Sequence, residues 1–179
     1  MKKKAIFLDR DGVINIDFGY TSTPEDFNFY EGVFAACRRF QSLGYALVVV
    51  TNQSGIARGY YSEADFEILC DWMLNQFLQE DVDLTAIYHC PHHATEGQGE
   101  FRKDCNCRKP KPGMLLAAAS EHNIDLSQSI MIGDKISDME AGRAAGVKKC
   151  ILIEESDVKD KMQHPAVDDV AKALMHVRI

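Results

Sequence analysis

The chain reads as an α/β protein built on a doubly wound, Rossmann-like parallel sheet. Short apolar runs alternate with segments whose apolar residues recur at helical spacing, and this alternation marks βαβ units. The runs are apolar at successive positions rather than at every second one, as strands covered by helices on both faces require. Each run stops on hydroxyl, amide, carboxylate or soft-ligand residues, which such a sheet gathers at its carboxyl edge.

Ala5-Ile6-Phe7-Leu8 is the first buried strand, ended by Asp9. Val33, Phe34, Cys37, Phe40 and Leu43 follow at helical spacing in a segment that opens near Glu31 and stops at Gly44. Tyr45-Ala46-Leu47-Val48-Val49-Val50 is a second strand, and Thr51-Asn52-Gln53-Ser54-Gly55 reads as its loop. Ser62 with Asp65 predicts a capping box for a helix carrying Phe66, Leu69, Cys70, Met73, Leu74, Phe77 and Leu78. Leu84 to Tyr88 is a third strand, leading into a segment dense in cysteine, histidine and basic residues, His89 to Gly113. An alanine-rich helix follows Pro112-Gly113, and Ser129 to Ile132 forms a fourth strand ending at Gly133-Asp134. A helix over 136–146 closes at Gly146, Cys150 to Ile153 is a fifth strand, and the polar C-terminus offers one short helix near Val167 to Met175.

A length of 179 residues fits one domain, 1–179, with the Cys/His loop, about 89–109, as its largest excursion. The net charge of -7 argues against nucleic acid or an anionic membrane as partner, and no apolar run is long enough for a leader or a span. A soluble, cytoplasmic monomer is the expectation, its cysteines reduced or metal-bound. Cys37, Cys70 and Cys150 sit singly in apolar segments and read as core. His122, His164 and His176 read as surface residues.

The strand ends carry the chemistry. Asp9 and Asp11 after the first strand, joined by Asp134 after the fourth, make an anionic pocket that repels itself unless a cation neutralises it. Hard oxygen ligands in an open site suit Mg²⁺, which keeps several waters and pairs with phosphate oxygens. A carboxylate there can attack phosphorus, a second can move the proton, and the Thr51 hydroxyl with the Lys109 ammonium can hold the phosphoryl oxygens. In the basic loop, Cys90-Pro91-His92 and Cys105-Asn106-Cys107 offer Cys₃His, the ligand set of a closed structural zinc site. His93 is an alternative to His92, and His89 a further neighbour.

Phe7-Leu8-Asp9-Arg10-Asp11-Gly12-Val13-Ile14, Val50-Thr51-Asn52, Arg108-Lys109-Pro110 and Ile132-Gly133-Asp134-Lys135 with Asp138 together resemble the four ordered motifs of the haloacid dehalogenase (HAD) superfamily of phosphatases. The resemblance implies Asp9 as nucleophile, Asp11 as general acid/base, Thr51 and Lys109 as phosphoryl stabilisers, and Mg²⁺ on Asp9, the Asp11 main-chain carbonyl and Asp134. A compact subgroup with a zinc loop favours Cys90, His92, Cys105 and Cys107 as the zinc ligands. Asp17-Phe18-Gly19-Tyr20, Asn52 to Gly59 and Cys107 to Gly113 resemble the subgroup's sugar-bisphosphate enzymes more than its histidinol-phosphate phosphatases. Implied from this are a heptose bisphosphate substrate in the supply of activated heptose to lipopolysaccharide core, and a substrate grip by Asp17, Phe18, Gly19, Tyr20, Thr51, Asn52, Gln53, Ser54, Arg108, Lys109 and Lys135. The stretch between Asp11 and Glu31 is too short for a large cap domain. The reading from a different class is a non-enzymatic, zinc-stapled binding module.

Overall fold

The computed structural model of the chain describes residues 2–153. Five parallel strands, β1 (Lys4–Leu8), β2 (Tyr45–Asn52), β3 (Leu84–Cys90), β4 (Ile130–Gly133) and β5 (Lys149–Leu152), lie in the order β3-β2-β1-β4-β5. Helices α1 (Val33–Ser42), α2 (Ser54–Arg58), α3 (Glu63–Gln79), α4 (Gly113–Glu121) and α5 (Ile136–Ala145) connect them. This is the doubly wound sheet the alternation predicts.

Strand pleating sends neighbouring side chains to opposite faces. Ile6, Leu8, Leu47 and Val49 pack under α1 and α3 with Phe40, Phe66, Met73 and Phe77. Ala5, Phe7, Val48, Val50 and Met131 pack under α4 and α5 with Met114, Leu115, Met139 and Ala141. Both faces are therefore dry, which explains strands apolar at successive positions.

The Ser62–Asp65 capping box forms at α3, and Gly146 caps α5 in the left-handed conformation. Two expectations change. Residues 54–58 are helical rather than loop, because Ile56 and Ala57 bury into the fold and hold a turn that so short a segment would not keep alone. β2 and β3 run on to Asn52 and Cys90, so Thr51, Asn52 and Cys90 are strand residues, paired Thr51↔His89 and Asn52↔Cys90. Cys37 is buried in the core, whereas Cys70 and Cys150 are half-buried beside it. The helix expected near Val167 to Met175, with His164 and His176, lies outside the described residues. Among the described residues no helix is long and apolar enough to cross a membrane.

β1 pairs with β2 on one side and β4 on the other, so the chain reverses its winding direction there. A crevice opens beyond the carboxyl ends at such a switch point, where the residues after β1, β2 and β4 meet.

Candidate active site

Asp9 leaves β1 with its Oδ1 pinned by the Arg10 backbone N–H at 2.8 Å and the Lys109 ammonium at 2.9 Å. Neither donor occupies Oδ2. The same ammonium meets Asp138 Oδ1 at 2.6 Å and donates to the Val50 carbonyl at 2.8 Å. Asp138 in turn accepts from the Lys135 backbone N–H through Oδ2, closing the first turn of α5. One carboxylate oxygen each from Asp9, Asp134 and Asp138 falls within a 4.8 Å cluster.

Burial raises the Asp9 carboxyl above its ordinary value; Lys109 opposes this and Asp138 adds to it. Burial likewise pushes Asp134 to about 7, with Asp9 contributing and Lys135 opposing. Burial alone would lower Lys109, yet Asp9 and Asp138 outweigh it and keep it a cation. Three carboxylates thus share one fully buried ammonium, with Lys135 half-exposed 3.8 Å from Asp134. The deficit of positive charge, and a buried Asp134 Oδ1 without a hydrogen-bond partner, fit a divalent cation held by oxygen. Gly12 makes this closeness feasible: at φ +85°, it sits where a Cβ would collide with the Asp134 carboxylate.

Asp11 points differently. Its carboxylate accepts from Arg10 Nε and Nη2, Asn15 Nδ2 and Gln53 Nε2 at 2.7–3.1 Å. Arg10 is wholly buried, its guanidinium lying over the rings of Phe27 and Phe66 and donating also to the Thr21 carbonyl. Above this floor opens a cleft of about 300 Å³ lined by Asp11, Asp17, Gly19, Tyr20, Asn52, Gln53, Ser54, Tyr61 and Lys135. Lys135 Nζ stands 3.6 Å from Asp17 at its mouth.

The second cluster is soft. Cys90, His92, Cys105 and Cys107 converge, with Sγ and Nδ1 atoms 2.9–3.8 Å apart and no disulfide between them. These spacings approach the edge, about 3.8 Å, of a tetrahedron around Zn²⁺ with bonds of roughly 2.3 Å. Burial and Lys103 hold the His92 imidazole below its ordinary value, favouring the neutral form a metal needs. His93 turns its Nδ1 instead to the backbone N–H of Glu96, and His89 lies 3.4 Å from Glu63. The ligand set read from the two hooks is therefore the one the fold brings together. The β2 edge is stitched to the loop, since Asn52 Oδ1 accepts from Lys109 N–H and Asn52 Nδ2 donates to the Lys109 carbonyl, both at 3.0 Å.

Comparison with known proteins settles the lineage. Residues 106–176 match the HAD-hydrolase-like family model. The chain is 56% identical over 150 residues to a D-glycero-beta-D-manno-heptose-1,7-bisphosphate 7-phosphatase of Haemophilus influenzae, covering 84% of this chain and 81% of the relative. The chain belongs to the HAD phosphatases. Another member, the D-glycero-alpha-D-manno-heptose-1,7-bisphosphate 7-phosphatase of Campylobacter jejuni, is 54% identical over 155 residues, 87% of this chain and 85% of that one. The crystal structure of a D,D-heptose 1,7-bisphosphate phosphatase from B. bronchiseptica, complexed with magnesium and phosphate, superposes with a TM-score of 0.77 at 29% identity. It covers 98% of this chain and 99% of that chain.

In this HAD phosphatase Asp9, Thr51, Lys109 and Asp138 are buried, and Asp11, Asp17, Gly19, Tyr20, Asn52 to Ser54 and Lys135 line the cleft. Phe18 is largely exposed and outside that lining, and Arg108 donates to the His92 carbonyl at 3.2 Å. Asn52 lines the cleft but spends its amide on the Lys109 backbone. Sequence reasoning passed over Arg10, Asn15 and Tyr61. Arg10 carries the residue type least expected to be buried, and Tyr61 reaches Gln53 only because α2 turns the chain back.

Proposed function

We propose that this phosphatase removes the 7-phosphate of D-glycero-D-manno-heptose 1,7-bisphosphate through an aspartyl phosphate on Asp9, with Mg²⁺ as cofactor and Zn²⁺ as a structural ion. The observation that carries the chemistry is the Asp9 carboxylate, oriented through Oδ1 by Lys109 and a backbone N–H and set beside the carboxylates of Asp134 and Asp138. The substrate is supported by relatives named for it at 54–56% identity.

Asp9 Oδ2 attacks phosphorus, and the bond to the sugar oxygen breaks as Asp11 delivers its proton to that oxygen. Asp11 then takes a proton from water, whose oxygen attacks the aspartyl phosphate and releases inorganic phosphate, regenerating Asp9. The Thr51 hydroxyl and Lys109 hold the phosphoryl oxygens in this scheme. Asp9, Asp134 and the Asp11 main-chain carbonyl would hold Mg²⁺, which when bound supplies positive charge to the phosphoryl oxygens. Asp17, Phe18, Gly19, Tyr20, Gln53, Ser54, Lys135 and the Arg108 guanidinium receive the sugar and its remaining phosphate, a guanidinium being suited to bidentate phosphate binding. Cys90, His92, Cys105 and Cys107 would hold Zn²⁺ and keep the segment before Lys109 in place. We assign the whole chain to one cytoplasmic, monomeric domain serving nucleotide-activated heptose synthesis.

Phosphate release from both anomers of the heptose bisphosphate, from histidinol phosphate and from glucose 6-phosphate tests the reading. Asp9→Asn should lower kcat about a thousandfold or more while the protein stays folded. A kcat/KM highest on histidinol phosphate overturns the substrate; an active Asp9→Asn enzyme overturns the mechanism.

A further inference from the structure

Gln53 is almost wholly buried at the start of α2, and its amide bridges three side chains. Nε2 donates to Asp11 Oδ2 at 3.1 Å and to Thr51 Oγ1 at 2.8 Å, while Oε1 accepts from the Tyr61 hydroxyl at 2.6 Å. We propose that Tyr61 is a positioning residue for the phosphatase reaction, its hydroxyl holding the Gln53 amide in the orientation that donates to both Asp11 and Thr51. This rests on the roles assigned above to those two residues.

The two ends of an amide have nearly the same shape, so something must decide which faces Asp11. An ionised Asp11 accepts only, and it alone would select the N–H end. In the half of the reaction where Asp11 carries the proton for the leaving oxygen, that selection disappears. A flipped Gln53 would then accept the Asp11 proton and hold it back from the sugar oxygen. Tyr61 removes this alternative, because its hydroxyl donates to Oε1 through both halves.

The direction of the chain also reaches Thr51. Its Oγ1 already accepts from Gln53, and no hydrogen bond donated by this hydroxyl is formed among the described residues. That single hydrogen remains to donate to a phosphoryl oxygen. A flipped Gln53 would present a carbonyl to the hydroxyl and consume it.

Tyr61 is itself well held. A Cβ at Gly55 would collide with its ring, so the glycine lets the ring lie against α2. Burial, opposed by Arg10 and aided by Asp11, pushes the phenol to about 12, and the donor persists at any working pH. The capping box at Ser62 fixes the backbone immediately after it.

A double-mutant cycle on the purified enzyme tests the proposal, with kcat and KM measured on heptose 1,7-bisphosphate and folding followed by circular dichroism. Tyr61→Phe should lower kcat about fivefold, the worth of one buried hydrogen bond, with KM unchanged. In a Gln53→Ala background the same change should cost nothing further, because the hydroxyl acts through the amide. An unchanged kcat in Tyr61→Phe, or an equal loss in both backgrounds, overturns the proposal; a merely structural role gives the second result. Asp9→Asn runs alongside. If it is inactive and the cycle is additive, this inference alone falls, whereas an active Asp9→Asn enzyme removes the phosphatase mechanism and this inference with it.

Discussion

Lys109 shows how much one side chain can carry when it is buried between opposite charges. Lys109→Met would strand Asp9 and Asp138 without their cation, each less than a tenth exposed. Breaking such a pair costs about 3–5 kcal/mol, so we expect a large drop in the urea midpoint together with lost phosphate release. Asn52 gives a finer test. Asn52→Ala leaves the Lys109 backbone N–H and carbonyl without their partner, a penalty of about 1–3 kcal/mol per unsatisfied group. Since those bonds place Lys109, kcat should fall while KM holds; a change in KM alone would point instead to the substrate contact the sequence suggests for Asn52. Of the residues legible in advance, Asp9, Asp11, Thr51 and Asp134 have places that follow from the strand period, because the end of a strand fixes where the next polar side chain goes; Lys109, far beyond the end of β3, was legible through the Arg108-Lys109-Pro110 motif. Arg10 was hidden because its burial against Phe27 and Phe66 is decided by tertiary folding, and Asn15 and Tyr61 because the turns that bring them to Asp11 and Gln53 carry no periodic signal.

At the scale of elements, the loop after β3 is a segment with little core of its own, tied at one end to a strand residue, Cys90, and at the other to the buried Lys109. Removing a metal held by Cys90, His92, Cys105 and Cys107 should therefore affect both stability and rate. Cys107→Ala should lower the melting temperature by several degrees more than Cys37→Ala, which removes one buried sulfur from the core. It should also reduce kcat, because the hook precedes Lys109; equal melting shifts for the two variants would count against a metal there. The strands and long helices were legible because burial on both sheet faces leaves continuous apolar runs and α3 writes its own cap. α2 was not, since five residues with a glycine near the start carry no helical signal, and only the packing of Ile56 and Ala57 keeps them wound.

For the whole molecule, the acid cluster makes stability depend on pH and metal together. The Asp134 carboxyl rises from 3.8 to about 7 on folding, so the protonated form favours the fold. In metal-free protein that contribution is full below the unfolded value and disappears as pH rises through about 7. Mg²⁺ competes with that proton, and the rise in melting temperature it produces should be larger at about pH 8 than at about pH 5.5. An equal rise at both, measured by scanning calorimetry with and without Mg²⁺, would separate the cation from Asp134. The order of the strands reaches further, into synthesis. Because β1 lies between β2 and β4, Asp9 meets Asp134 only after β2, β3 and the loop that carries Lys109 have been made. A nascent chain can pair β1 with β2 and begin its core early, but its acid cluster stays incomplete until β4 and the first turn of α5 have followed. Premature termination anywhere before β4 should therefore yield a product without phosphatase activity, because its acid cluster lacks Asp134 and Asp138.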